Sequence, residues 1–138
     1  MSNIPLLDEK NKGETYEWVI EKADQMMTFC KVGKYVRSMM FKLQGISWVI
    51  NFYMRGEDDL PEDELSSSIR FVSLNRQPEN FKFSIQIDNY EHTITHDSPA
   101  ICSRSHYWGF SRLMPWSKLR NCVNQENEVI IKVTIIKV

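Results

Sequence analysis

Hydrophobic and polar residues alternate with a period of two along most of the chain. Ile46 to Met54 puts Ile46, Trp48, Ile50, Phe52 and Met54 on one face and Ser47, Val49, Asn51 and Tyr53 on the other. Phe81 to Ile87 alternates Phe81, Phe83, Ile85 and Ile87 with Lys82, Ser84 and Gln86. Val129 to Ile135 alternates Val129, Ile131, Val133 and Ile135 with Ile130, Lys132 and Thr134. Successive side chains of a strand point to opposite faces, so these runs predict half-buried strands, apolar inward and mixed outward. Weaker runs predict strands at Tyr16–Ile20, Tyr35–Leu43, Ser67–Leu74, Pro99–Cys102 and Tyr107–Met114. Gly33, Gly45, Gly56 and the polar stretch 75–80 supply the turns between them. A helical period is convincing only as one short turn within Trp116–Val123.

Eight strands with few helices predict an all-β fold, an eight-stranded antiparallel β-sandwich. Its expected core is Trp18, Phe41, Trp48, Ile50, Phe52, Phe83, Ile85, Phe110, Ile131 and Val133, which share the inward phase. With 138 residues, 42% hydrophobic and 25% charged, the chain has the composition of one folded domain rather than a disordered segment. The division expected is a flexible leader over 1–13 and one domain over 14–138. Met1 to Lys12 shows no apolar heptads, and therefore no coiled coil.

Lys plus Arg number 17 and Asp plus Glu 18, a net charge of -1. That balance argues against nucleic acid or an anionic membrane as partner. No apolar run approaches the roughly 18 residues of a membrane helix, and the opening residues lack the pattern of a secretory signal. The three cysteines, Cys30, Cys102 and Cys122, are an odd number and read as reduced thiols, which places the protein in the cytoplasm or nucleus.

Several constellations suggest other chemistry and fall short of it. His92, His96, Cys102 and His106 form H-x3-H-x5-C-x3-H, all zinc-capable residue types. The H-x3-H spacing brings two ligands together only on a helix, whereas Glu91 to His96 reads as strand or turn. Ser103, Ser105, His106 and Asp97 are near one another in sequence, but no G-x-S-x-G elbow accompanies them. No phosphate loop or dinucleotide fingerprint is present. The expectation is therefore no catalytic residues, no metal and no cofactor. Glu57 to Glu64 holds six acids in eight residues, with Pro61 inside, and reads as a solvated loop without EF-hand spacing. Lys31, Lys34, Arg37 and Lys42 read as a solvated basic scatter. The pairs Met26–Met27 and Met39–Met40 read as core filling before adaptable contact surface.

Two stretches carry a recognisable pattern. Ser38-Met39-Met40-Phe41 followed by Gly45-Ile46-Ser47-Trp48 resembles the Ser-x-x-Phe…Gly-x-x-Trp signature of MATH domains, also called TRAF-like domains. Tyr107-Trp108-Gly109-Phe110-Ser111-Arg112-Leu113-Met114 resembles the family's Trp-Gly-Phe strand. Tyr16 to Ile20, Phe81 to Ile85 and the closing strand fall in the family's order, so the resemblance covers residues 14–138. Speckle-type POZ adaptors and a ubiquitin-specific protease have domains of similar pattern.

The resemblance implies a TRAF-C-like sandwich that binds short extended peptides of other proteins and chooses substrates or receptors in ubiquitin signalling. A BTB, RING or deubiquitinase module accompanies such domains elsewhere in the full-length protein. It assigns the peptide site to Phe81, Tyr107, Trp108, Gly109, Phe110, Ser111 and Ser68. Tyr107 stands where the adaptors carry an acid and Ser68 where they carry a tyrosine, which implies a less acidic, differently shaped groove. Independently of the resemblance, a strand edge offers unpaired N–H and C=O groups to an added strand, and Gly109 permits close backbone approach. Trp108, Phe110 and Phe81 also fit a core role, since large aromatics are usually buried. The alternative function is a structural or self-association sandwich that uses no peptide groove.

Overall fold

The computed structural model describes residues 14–74, 81–87, 90–98 and 107–137. The expected leader, the turn at 75–80 and the short strand at Pro99–Cys102 lie outside these. The described elements are β1 (Glu14–Ile20), helix α1 (Ala23–Phe29), β2 (Val36–Arg37), β3 (Phe41–Leu43), β4 (Ile46–Tyr53), β5 (Ser66–Ser73), β6 (Phe81–Ile87), β7 (Tyr90–Ser98), β8 (Tyr107–Pro115), helix α2 (Trp116–Leu119) and β9 (Val129–Lys137). Short 3-10 turns cover Glu62–Glu64 and Arg120–Cys122. One antiparallel sheet has the order β1-β9-β6-β7 and the other β2-β4-β5-β8, with β3 also paired to β4. The antiparallel sandwich is thus observed. The helical turn expected within Trp116–Val123 is α2 and the 3-10 turn after it.

All ten expected core residues are buried, none above 8% exposed. Trp48 of β4 stands edge-on to Phe81 and Phe83 of β6, with centroids 5.6 and 5.7 Å away, and its indole Nε1–H donates to the Leu43 carbonyl at 3.1 Å. Phe71 of β5 stacks on Phe83 at 5.0 Å, so the two sheets meet through aromatic faces and edges rather than aliphatic contacts alone. Tyr16 of β1 stacks on Phe41 of β3 at 4.0 Å and closes one side.

The strand expected at Tyr35–Leu43 is broken into β2 and β3. Ser38, 6% exposed, explains how the break is tolerated. Its backbone N–H donates to the Ile50 carbonyl, and its hydroxyl accepts from the Ile50 N–H and donates to the Met39 carbonyl, each at 2.9 Å. A side chain thus completes the ladder where the backbone departs. Gln44 and Gly45, with φ of 56° and 75°, form the two-residue turn between β3 and β4. Positive φ at both positions is what a tight hairpin twisting with its strands needs. Alternation also fails on β4: Val49 and Asn51 are buried along with the inward residues. β4 lies between β2/β3 and β5, and the Arg37 side chain of β2 lies against Asn51 on its outer face.

Helix α1 is the element the sequence hides. Only Ala23 and Met27 of its residues are buried, and the cap position holds Lys22, whose side chain caps nothing. The cap comes from far along the chain instead. Asn127, itself at φ 61°, accepts from the Ala23 N–H through its backbone carbonyl and from the Asp24 N–H through Oδ1, both at 2.9 Å. Its Nδ2 donates to Gln25 Oε1 at 2.7 Å. These bonds satisfy donors that a helix start otherwise leaves orphaned.

Two outcomes are expected from denaturant unfolding. Trp48→Ala should cost about 3–5 kcal/mol through cavity formation, and a variant that melts with the wild type would place Trp48 outside the core. Asn127→Ala should cost about 1–2 kcal/mol, with Asn127→Asp recovering most of it because the Oδ acceptor is kept. Equal stability of Asn127→Ala and wild type would show that α1 needs no cap from this residue.

Candidate functional site

Strand β8 ends its sheet among the described residues, and the row of residues leading to it carries the polar chemistry. Register aligns Arg37 of β2, Asn51 of β4, Arg70 of β5 and Gly109 of β8 across the outer face. The next row inward is Val36, Phe52, Ile69 and Phe110, which faces the core. The period-two phase that buries one row turns the other outward, where Arg37 is exposed and Arg70 half-buried while Asn51 is covered.

These outward side chains form a connected platform. Arg37 Nε donates to Asn51 Oδ1 at 2.8 Å, and its Nη2 reaches the Tyr35 hydroxyl at 3.4 Å. The Tyr35 and Tyr53 rings meet at 5.2 Å. The Arg70 guanidinium lies 5.6 Å from the Tyr53 ring centroid and is ion-paired with Glu57, which also accepts from the Ser68 hydroxyl. Burial pushes the Tyr53 phenol above its ordinary value of 10.0, more than the Arg70 charge lowers it, so it stays a neutral donor at physiological pH. Glu57 balances Arg70. Arg37 forms no ion pair among the described residues, so the platform presents a guanidinium that can donate to carbonyl or carboxylate oxygens.

The acidic run is therefore not simply solvated. Its first member turns in to Arg70 and Ser68, and Glu62 accepts from the Trp116 indole N–H at 3.1 Å. Asp58, Asp59, Asp63 and Glu64 remain exposed.

The residues expected to bind peptide divide into three groups. Phe81 is 0% exposed against Trp48, and Phe110, 8% exposed, stands edge-on to Phe71 at 6.1 Å, so both are core side chains rather than groove walls. Ser68 is 1% exposed, with its hydroxyl given to Glu57. Tyr107, Trp108 and Ser111 belong to β8 by backbone, with Tyr107 opposite Val72 and Trp108 opposite Phe71, and their side chains lie outside the described residues. Gly109 does permit close backbone approach, but the approaching chain is the protein's own. A Cβ there would stand 2.3 Å from the Ile69 carbonyl oxygen and 3.1 Å from the Arg70 Cα. The pairing of β5 with β8 shifts register between Ser67 and Ile69, and beyond the shift it sets Gly109 directly opposite Arg70.

In sequence Arg37 and Glu57 read as solvated charges and Asn51 and Tyr53 as the outer face of a strand, so the platform they form with Arg70 is legible only from the structure. Their signal was the outward phase of strands whose inner phase was already assigned. Of the histidine and cysteine constellation, His92 and His96 belong to strand β7, which does not bring positions four apart together, and Cys102 and His106 lie outside the described residues.

The model of the MATH domain family matches residues 15–135. Among solved structures, Notothenia coriiceps TRAF5 is similar with a TM-score of 0.63 at 17% identity, over 93% of this chain and 75% of that one, a likeness of fold. No curated protein matches the chain.

Gly109→Ala should destabilise the domain by about 1–3 kcal/mol through overpacking against β5, and Gly109→Val by more. Urea unfolding checks this, and wild-type stability of Gly109→Ala would show that β5 does not crowd the position.

Proposed function

The chain belongs to the MATH domain family, whose members are protein-interaction domains, and we propose that this one binds short extended peptides along the open edge of β8. It does so without catalysis, selecting substrates or receptors in ubiquitin signalling for a BTB, RING or deubiquitinase module in the full-length protein. The observation that supports this reading is the position of β8 at the end of its sheet among the described residues, with Arg70 on the strand beside it. An extended ligand gains backbone hydrogen bonds from the edge and side-chain contacts from the face. With Tyr107 where the adaptors carry an acid, ligand preference departs from that of the adaptors' acidic groove. An odd cysteine count, with Cys30 and Cys122 unbridged, supports a cytoplasmic or nuclear setting.

The test is selection of peptides from a random displayed library, followed by amide chemical-shift mapping of the winners on the isotope-labelled domain. Shifts should concentrate on Tyr107 to Met114 and on Arg70 of the neighbouring strand, and leave Arg37, on the far edge of the sheet, in place. Winners that move no β8 amide would overturn strand addition at this edge.

A further inference from the structure

At the opposite edge of the same sheet, where β2 contributes only two residues, the chain leaves apolar surface open. Phe29 is 80% exposed, Met26 37% and Tyr35 45%. With Val36 they line a groove of about 380 Å³ between α1 and β2. Met26 and Phe29 are three apart on α1 and so share one side of the helix, while Met27 turns into the core at 0% exposure. Beyond β2, Met39 and Met40 are 81% and 64% exposed, so three of the four paired methionines serve as surface rather than core filling.

The charges at this groove have one sign. Lys22 and Lys34 line it, Lys31 is exposed in the adjoining loop, and no carboxylate is among its lining residues. Asp24, the one acid of α1, is ion-paired with Arg120 at 3.6 Å. Lysine stems extend apolar surface while their ammonium groups stay in water at its margin. An occupant that inserts a bulky apolar side chain here therefore meets ammonium groups beside it.

We propose that the α1–β2 groove is a second protein-docking site, distinct from the β8 edge, whose partner is a protein segment carrying one large apolar anchor flanked by acidic residues. The anchor covers Met26, Phe29 and Tyr35, and the flanking carboxylates pair with Lys22 and Lys34. Unbranched methionine side chains adapt to anchors of different shape, so leucine and phenylalanine are both accepted. β2 is too short to pair with an added strand, so recognition runs through side chains.

The probes are two sets of labelled twelve-residue peptides. Both carry a central leucine or phenylalanine, flanked by Asp and Glu in one set and by Lys in the other. The acidic set should bind and shift the amides of Met26, Phe29 and Tyr35, leaving those of β8 in place. Phe29→Asp and the double variant Lys22→Glu with Lys34→Glu should each weaken it at least about tenfold, the latter losing salt dependence. Both sites of substitution are exposed, and circular dichroism confirms folding. Binding of the lysine set as tight as the acidic set, shifts confined to β8, or no binding by either set would each overturn the proposal. Because the readout maps to α1, it stands or falls apart from peptide binding at β8.

Discussion

Everything else in this domain hangs on one aromatic contact, the edge-on seat of Trp48 against Phe81 and Phe83 between the sheets. It joins the central strand of one sheet to the strand at the middle of the other. Because Phe83 also stacks on Phe71, one buried cluster sets the spacing of β4, β5 and β6. Burial of such large side chains is the main source of stability available to a domain without disulfides among its described cysteines. The family's signature serves that core. Ser38 stitches a broken strand, Gly45 turns the hairpin, and Phe41 and Trp48 fill the interior, so the motif specifies the sandwich and leaves its ligand open.

The outer face follows from the inner one. Once the phase of β4 and β5 is fixed by Phe52 and Ile69, Asn51 and Arg70 have nowhere to point but outward. The same register delivers Gly109 against β5, where only a residue without a side chain fits. Row and glycine are thus tied to the regular stretch of β5–β8 pairing that sets Arg70 opposite Gly109, and a side chain added there meets the β5 backbone.

How much of this was legible follows from which signals are local. Period-two runs revealed β4, β6 and β9 because alternation needs only neighbouring residues. The ten core positions followed from the same phase. Helix α1 was not legible, since two buried positions in seven make no stripe and its cap is contributed by Asn127. The split of 35–43 was hidden because Ser38 does its work through a partner on β4. Phe81 and Ser68 were assigned to the groove by resemblance, and their burial depends on the facing sheet and on Glu57, neither of which is visible from flanking sequence. Gly109 was recognised as a place of close approach, but which backbone approaches is a matter of register.

The cap on α1 joins residues 103 positions apart in the chain. Loop closure of that length is completed only when nearly all of the domain is in hand. A nascent chain still short of residue 127 can build much of the second sheet but lacks the acceptors that cap the start of the helix. The wall formed by Met26 and Phe29 therefore stands on a helix whose first backbone donors find their acceptors only once residue 127 has been added.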